Sequence, residues 1–153
     1  MQSNPENGIW ESFIPPCTYL AVSGLHWNGR IPGRAKKTEE SLIFIQSLLD
    51  APIDRIALEN PVGCISTRIR KPDQTIQPWW FGDDASKKTC LWLKNLPELL
   101  ATDILPGDNK TRRANQTPSG QNKLGPSPDR WKERSRTYQG IANAMADQWG
   151  ALL

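Results

Sequence analysis

The chain has 153 residues, of which 37% are hydrophobic and 23% charged, and its net charge is +3. That length fits one domain with a buried core, and no segment approaches the roughly 20 apolar residues that a membrane span needs. Residues 1–7 have neither a basic start nor an apolar run, so we expect no signal peptide and a cytoplasmic location.

The first elements have the pattern of a strand followed by a helix. Ile9–Ile14 alternates apolar and polar residues as a short strand does, and two prolines end it. Residues 15–37 contain several glycines and prolines and predict a loop. Thr38 then predicts the N-cap of a helix that has Glu39 and Glu40 in its first turn. The predicted buried face of this helix consists of Leu42, Ile43, Ile45, Leu48 and Leu49.

Ala51-Pro52 ends this helix, and a second strand is predicted shortly after it. Arg55–Asn60 is a short, mostly apolar run that closes on two polar residues. Two strands joined by one helix through short connections form a βαβ unit, which implies a parallel sheet with a right-handed crossover. A further strand is predicted over Thr89–Leu93, after an aromatic turn at Trp79–Gly82. We therefore predict an α/β protein with a parallel sheet and flanking helices.

The basic charge is concentrated in one polar segment. Leu105–Arg130 has almost no apolar content and predicts little fixed structure. Asp108–Arg136 contains eight Lys/Arg against three Asp/Glu, a net charge of +5. Such a segment suits contacts with nucleic-acid phosphates, and it equally suits a solvated loop.

The C-terminal residues predict a helix. Ile141, Met145 and Trp149 recur every four residues, and Gly150 ends the pattern. The expected organisation is therefore an α/β body over residues 1–104, a flexible basic loop over 105–130, and a C-terminal helical segment over 131–153 that packs back on the body.

Two reactive side chains follow the two predicted strands of the βαβ unit. The first strand leads into Pro15-Pro16-Cys17, and the second closes on Glu59-Asn60. In open parallel sheets, ligands bind at the carboxyl ends of the strands. If the strands are neighbours, the thiol and the carboxyl face one pocket, as a nucleophile with an acid partner does. The alternative is structural: Cys17 packs the loop, and Glu59 caps the turn that follows it.

Four short motifs, in this order, resemble those of DNA cytosine-5 methyltransferases. Pro15-Pro16-Cys17 resembles the catalytic PPC motif of that family, and Glu59-Asn60 resembles its ENV motif. Phe81-Gly82 and the following Ser86-Lys87-Lys88 resemble its aromatic-glycine turn and basic motif, and residues 140–145 resemble its closing GNAV segment. The residues in and around these motifs most resemble those of a compact phage and prophage branch of the family.

The resemblance implies a fold and a reaction. The fold is a partial Rossmann-like S-adenosylmethionine-dependent methyltransferase fold. In the family, a cysteine thiolate adds to C6 of a cytosine that has left the duplex, and C5 then attacks the methyl group of S-adenosylmethionine. A glutamate holds and protonates N3 of the base. By this resemblance, Cys17 is the nucleophile and Glu59 the N3 partner.

Supporting residues are also implied. Contacts to the base or to DNA are expected from Asn60, Lys87 and Lys88, together with Arg112 and Arg113 of the basic segment. Contacts to the cofactor are expected from Pro15 and Asn143. No metal is expected, because the three cysteines and the one histidine lack the spacing of zinc ligands.

One family element has no counterpart in this sequence. Family members begin with a strand and a glycine-containing turn of the form Phe-x-Gly-x-Gly that hold the cofactor, and only about 14 residues precede Pro15. We therefore expect a truncated chain with half a cofactor site, which needs a complementing polypeptide or self-association for activity. The alternatives are a non-catalytic remnant that binds DNA weakly, and an interaction protein whose exposed sheet edge recruits a partner.

Overall fold

A computed structural model of the chain describes residues 10–152. The strands are β1 (Trp10–Phe13), β2 (Arg55–Pro61), β3 (Gln74–Ile76) and β4 (Thr89–Lys94). The helices are α1 (Val22–Leu25), α2 (Arg34–Leu49), α3 (Ile65–Arg68), α4 (Arg130–Ser135) and α5 (Gln139–Gly150), and Pro78–Trp80 forms a 3-10 helix. The described residues divide into two compact units, residues 10–75 with 89–98 and residues 76–88 with 99–152.

The four strands form one open sheet in the order β1-β2-β4-β3. β1 and β2 are parallel neighbours, with Phe13 opposite Leu58, as the βαβ pattern predicted. β4 runs antiparallel to β2, with Trp92 opposite Leu58. The prediction of a parallel sheet is therefore wrong for this pair, and the sheet is mixed. The apolar pattern of a strand identifies the strand but contains no information on its direction.

α2 begins at Arg34, four residues before the predicted cap. Thr38 is buried within the helix, where its hydroxyl donates to the carbonyl of Tyr19 at 2.8 Å and accepts from the side-chain amide of Asn28 at 3.0 Å. Thr38 therefore connects the preceding loop to the helix through hydrogen bonds and is not the N-cap of the helix. Gly33 precedes the first turn with φ of 78°, a left-handed conformation that glycine adopts without strain.

The core of the first unit lies between α2 and one face of the sheet. Its fully or nearly buried members are Leu20, Leu42, Ile45, Leu58, Ile65, Cys90 and Trp92. Burial of a large apolar side chain stabilises the fold by about 1.5–3 kcal/mol, so this cluster dominates the stability of the unit. The predicted face of α2 is correct except at Ile43, which is 71% exposed.

The second unit is organised around α5. Ile141, Met145 and Trp149 are buried on one side of this helix, which confirms its predicted period. Between β4 and α4 the chain has turns and an isolated bridge between Gln116 and Asn122, with no helix or longer strand. No helix within residues 10–152 is long and apolar enough to cross a membrane.

Candidate active site

The carboxyl ends of β1 and β2 place two of the predicted motifs side by side. β1 ends at Phe13, opposite Leu58, and the chain continues through two prolines to Cys17. β2 continues from Leu58 into Glu59 and Asn60. Because the strands are parallel and adjacent, both segments lie at the same edge of the sheet, where open α/β sheets bind their ligands.

Asn60 connects the two segments directly. Its side-chain amide donates to the carbonyl of Pro15 at 3.1 Å, and the side chain is fully buried. A buried hydrogen bond of this kind contributes about 1 kcal/mol, and its loss leaves an unsatisfied polar group. The Oδ1 atom of Asn60 has no hydrogen-bond partner among the described residues. Asn60 thus positions the prolines that precede Cys17 and retains one unused acceptor.

The loops beyond the two strands are also held together by their backbones. The amide of Cys64 donates to the carbonyl of Leu20 at 2.9 Å, and the amide of Val22 donates to the carbonyl of Val62 at 3.0 Å. A Cβ atom at Gly63 would lie 1.9 Å from the carbonyl oxygen of Leu20, so only glycine allows this close approach. The Cys17 loop therefore has a defined position against the end of β2.

Cys17 is the first residue of a closed turn. Its carbonyl accepts from the amides of Leu20 and Ala21 at 3.0 and 2.9 Å, and the residue is partly exposed. The backbone of Cys17 is thus fixed, and the residue keeps partial solvent exposure, which a reactive cysteine needs.

Cys17 is expected to react fastest with iodoacetamide among the three cysteines. Cys90 is buried in the core. Cys64 is partly exposed, but burial raises the pKa of its thiol and lowers its thiolate fraction at neutral pH. Peptide mapping by mass spectrometry after brief alkylation measures the order. Labelling of Cys64 or Cys90 at the same rate as Cys17 would contradict an accessible nucleophile at Cys17.

Glu59 lies within β2 and is 3% exposed. The strand extends to Pro61, one residue beyond its predicted end, and backbone pairing opposite Leu91 holds Glu59 near the carboxyl end of the strand. Side chains alternate along a strand, so Glu59 points to the face opposite that of Leu58 and Asn60. A carboxyl group buried at this depth requires partners that offset its lost hydration.

A cavity of about 420 Å³ opens beside the prolines of the Cys17 loop, within the size range of small-molecule sites. Pro15, Tyr19 and Phe44 contribute to its wall. Neither Cys17 nor Glu59 lines it. The predicted cofactor residue Pro15 thus faces a cavity, and the two predicted catalytic residues lie outside it.

Arg113 is buried, contrary to what a DNA contact requires. Its side chain is 4% exposed, and the guanidinium carbon lies 4.6 Å from the centre of the Trp79 ring. One guanidinium nitrogen lies 3.8 Å from the carboxylate of Asp84. A guanidinium stacked on an aromatic ring stabilises the surrounding structure. Arg113 therefore packs the second unit and is not available to phosphates, which corrects its assignment to DNA binding.

The remaining predicted residues also belong to the second unit. Lys88 and Arg112 are exposed. The Lys87 ammonium donates to the carbonyl of Arg136 at 3.0 Å. Asn143 is exposed on α5 and accepts a hydrogen bond from a glutamine side chain one turn earlier at 2.7 Å. Lys88 and Arg112 are therefore the most available cations of this group.

One group of basic and aromatic residues was not identified from the sequence. It lies between Tyr19 and Lys37, in the stretch that was expected to be a plain loop. Its sequence signature is the absence of any Asp or Glu from residue 12 to residue 38, a stretch that contains four Lys/Arg.

No protein-family model, curated protein or solved structure matches this chain. The resemblance to DNA cytosine-5 methyltransferases rests on the motifs alone. In residues 10–152, no three His, Cys, Asp or Glu side chains cluster as metal ligands.

Proposed function

We propose that this chain is a DNA cytosine-5 methyltransferase-like protein in which Cys17 and Glu59 activate cytosine. The observation that carries the proposal is the parallel pairing of β1 with β2, which brings the Cys17 segment and the β2 residues Glu59 and Asn60 to the same edge of the sheet. Because the Glu59 side chain lies on the face opposite to that of Asn60, the proposal requires the base to contact both faces at this edge. The hydrogen bond from Asn60 to Pro15 supports it, because it links the two motifs through a buried contact. The finer assignment of the mixed sheet to a partial Rossmann-like methyltransferase fold belongs to the same proposal.

In the proposed reaction, the thiolate of Cys17 forms a bond to C6 of an extruded cytosine. The electron pair of the C5–C6 double bond forms a C4–C5 double bond. The C4–N3 pair moves onto N3, which takes a proton from Glu59. C5 is then a nucleophile that accepts a proton from water. Loss of the original C5 hydrogen as a proton, return of the N3 proton to Glu59 and expulsion of the thiolate restore cytosine.

S-adenosylmethionine is the proposed methyl donor, but the described residues fit it only in part. Pro15 faces a cavity of suitable size, whereas the sequence contains no Phe-x-Gly-x-Gly turn to cradle the cofactor. Asn143, the second proposed contact, is exposed and hydrogen-bonded within α5. We therefore derive no methyl-transfer step from this chain and propose that a complementing polypeptide, which supplies such a turn, completes the cofactor site.

A non-catalytic function is the second candidate. In it, the chain is a methyltransferase remnant that binds DNA or a partner protein. The observation that favours it is the cavity beside Pro15, which neither Cys17 nor Glu59 lines.

Exchange of the C5 hydrogen separates the two candidates without any cofactor. The chain is incubated with an oligonucleotide that contains cytosine tritiated at C5, and tritium release to water is measured. The proposal predicts release above the rate in buffer, since addition at C6 labilises the C5 hydrogen. Release at the buffer rate, from a chain that binds the oligonucleotide, would favour the non-catalytic remnant.

A further inference from the structure

A basic and aromatic surface lies on the segment that follows the Cys17 turn. We define it by Tyr19, Trp27, Arg30, Arg34 and Lys37, and all five belong to the first unit. No acidic residue occurs from residue 12 to residue 38. Glu40 lines the same cavity as Tyr19 and Lys37, but the four Lys/Arg of the segment outnumber it, so the surface is net positive and attracts polyanions.

The cations of this surface are stacked on its aromatic rings. The guanidinium carbon of Arg30 lies 5.6 Å from the centre of the Trp27 ring. Arg34 and Lys37 lie 4.9 and 5.6 Å from the centre of the Tyr19 ring. The centres of the His26 and Trp27 rings are 4.8 Å apart, and Trp27 is 42% exposed, so part of the Trp27 ring remains open to a ligand. Alternating rings and cations match the bases and phosphates of an unpaired strand.

The surface is held in place by the fold. Arg34 donates to the carbonyls of Thr18 at 2.8 Å and Gly24 at 3.3 Å, which fixes the loop against the start of α2. Successive turns connect Trp27 to α2, because the amides of Arg30 and Ile31 donate to the Trp27 carbonyl at 3.0 and 2.9 Å. Little ordering is therefore required before a strand binds, which favours affinity.

Within residues 10–152, Arg30, Arg34 and Lys37 form no ion pair with a carboxylate, although Arg34 donates hydrogen bonds to two backbone carbonyls. In the larger basic segment, Arg113 is buried and Lys132 lies 3.0 Å from the carboxylate of Asp129, whereas Arg112 is exposed. Each cation that contacts a phosphate, on either segment, contributes to binding through counterion release.

We propose that this basic and aromatic surface binds single-stranded nucleic acid. Bases stack on Trp27, and phosphates contact Arg30, Arg34 and Lys37. A duplex offers phosphates but not base faces, so a single strand is bound more tightly. This inference concerns binding alone and does not rest on the chemistry proposed for Cys17.

The test is fluorescence anisotropy with a labelled oligothymidylate of about 12 nucleotides, a length that spans such a surface. Trp27→Ala is expected to weaken binding about tenfold through the lost stacking. Arg30→Gln with Lys37→Gln is expected to weaken it and to flatten its dependence on salt between about 50 and about 200 mM. Arg34 is left unchanged because it holds the loop, and thermal melting checks that each variant folds.

Matched controls are available elsewhere in the chain. Trp131 is 55% exposed and has the Lys132 ammonium 5.6 Å from its ring centre, so Trp131→Ala removes an equivalent pair from the second unit. Lys36→Gln removes a cation of α2 that lies 4.0 Å from Glu40. Both variants are expected to bind as the wild type does.

Three results would overturn the inference. The first is unchanged binding by a folded Trp27→Ala variant. The second is an equal loss with Trp131→Ala, and the third is tighter binding of a duplex of the same length. Anionic phosphatidylserine vesicles are measured in parallel, and Trp27-dependent binding to vesicles but not to the oligonucleotide would identify a membrane surface instead.

Discussion

Cys17→Ser is expected to reduce tritium release from C5 of cytosine to the uncatalysed rate. A serine hydroxyl is almost wholly protonated at neutral pH and is a far weaker nucleophile than a thiolate, so addition to C6 stops. The substitution keeps the turn intact, because Leu20 and Ala21 donate to the backbone carbonyl of residue 17 and not to its side chain. Oligonucleotide binding is therefore retained while exchange is lost, and both are measured on the same preparation.

Cys64→Ser is the matched control, since this cysteine is also partly exposed and lies in the adjoining loop. It is expected to retain exchange within about twofold, the scale of a small change in folded fraction. Equal loss of exchange in the Cys17 and Cys64 variants would contradict a specific role for Cys17.

Glu59→Gln is measured in the same tritium-release experiment. The amide keeps the size of the side chain but has no acidic proton for N3, and a positioned general acid contributes about a hundredfold or more. We expect a loss of this order with the covalent step still detectable. A rate equal to that of the wild type would show that Glu59 is only a buried structural carboxyl.

The second large effect concerns methyl transfer. The 153-residue chain alone is expected to incorporate no tritiated methyl groups from S-adenosylmethionine into DNA. Transfer requires the methyl carbon within about 3.5 Å of C5, and the sequence has no glycine-rich turn to fix the cofactor there. Addition of a separate strand-helix-strand fragment that contains such a turn is expected to start incorporation.

The complemented mixture has its own controls. Cys17→Ser in the mixture is expected to abolish incorporation, and the fragment alone is expected to be inactive. Robust incorporation by the chain alone would contradict the need for a complement. No incorporation with a fragment that is shown to bind the chain would favour the non-catalytic remnant.

Patterns of apolar residues predicted β1, α2, β2, β4 and α5, but not the short elements α1, α3, β3 and α4. The spacing of Ile141, Met145 and Trp149 identified α5, because burial of one helical face requires that period. The adjacency of the first two strands followed from their short connection through one helix.

Features that depend on distant contacts were not predictable in this way. Thr38 has the residue type of a helix cap, but its hydroxyl is used by Tyr19 and Asn28, residues brought close only by folding. The burial of Arg113 depends on Trp79, more than thirty positions earlier in the chain. The antiparallel direction of β4 likewise depends on its pairing with β2, which the apolar pattern of β4 does not specify.

The most direct measurement is the bond that Cys17 is proposed to form. An oligonucleotide that contains 2-pyrimidinone in place of cytosine offers a more electrophilic C6, and its adduct with a thiol is identified by intact mass and peptide mapping. The account predicts one adduct per chain, located at Cys17 and absent from Cys17→Ser. Failure of an oligonucleotide that binds the chain to form an adduct, or an adduct located at Cys64, would contradict Cys17 as the nucleophile.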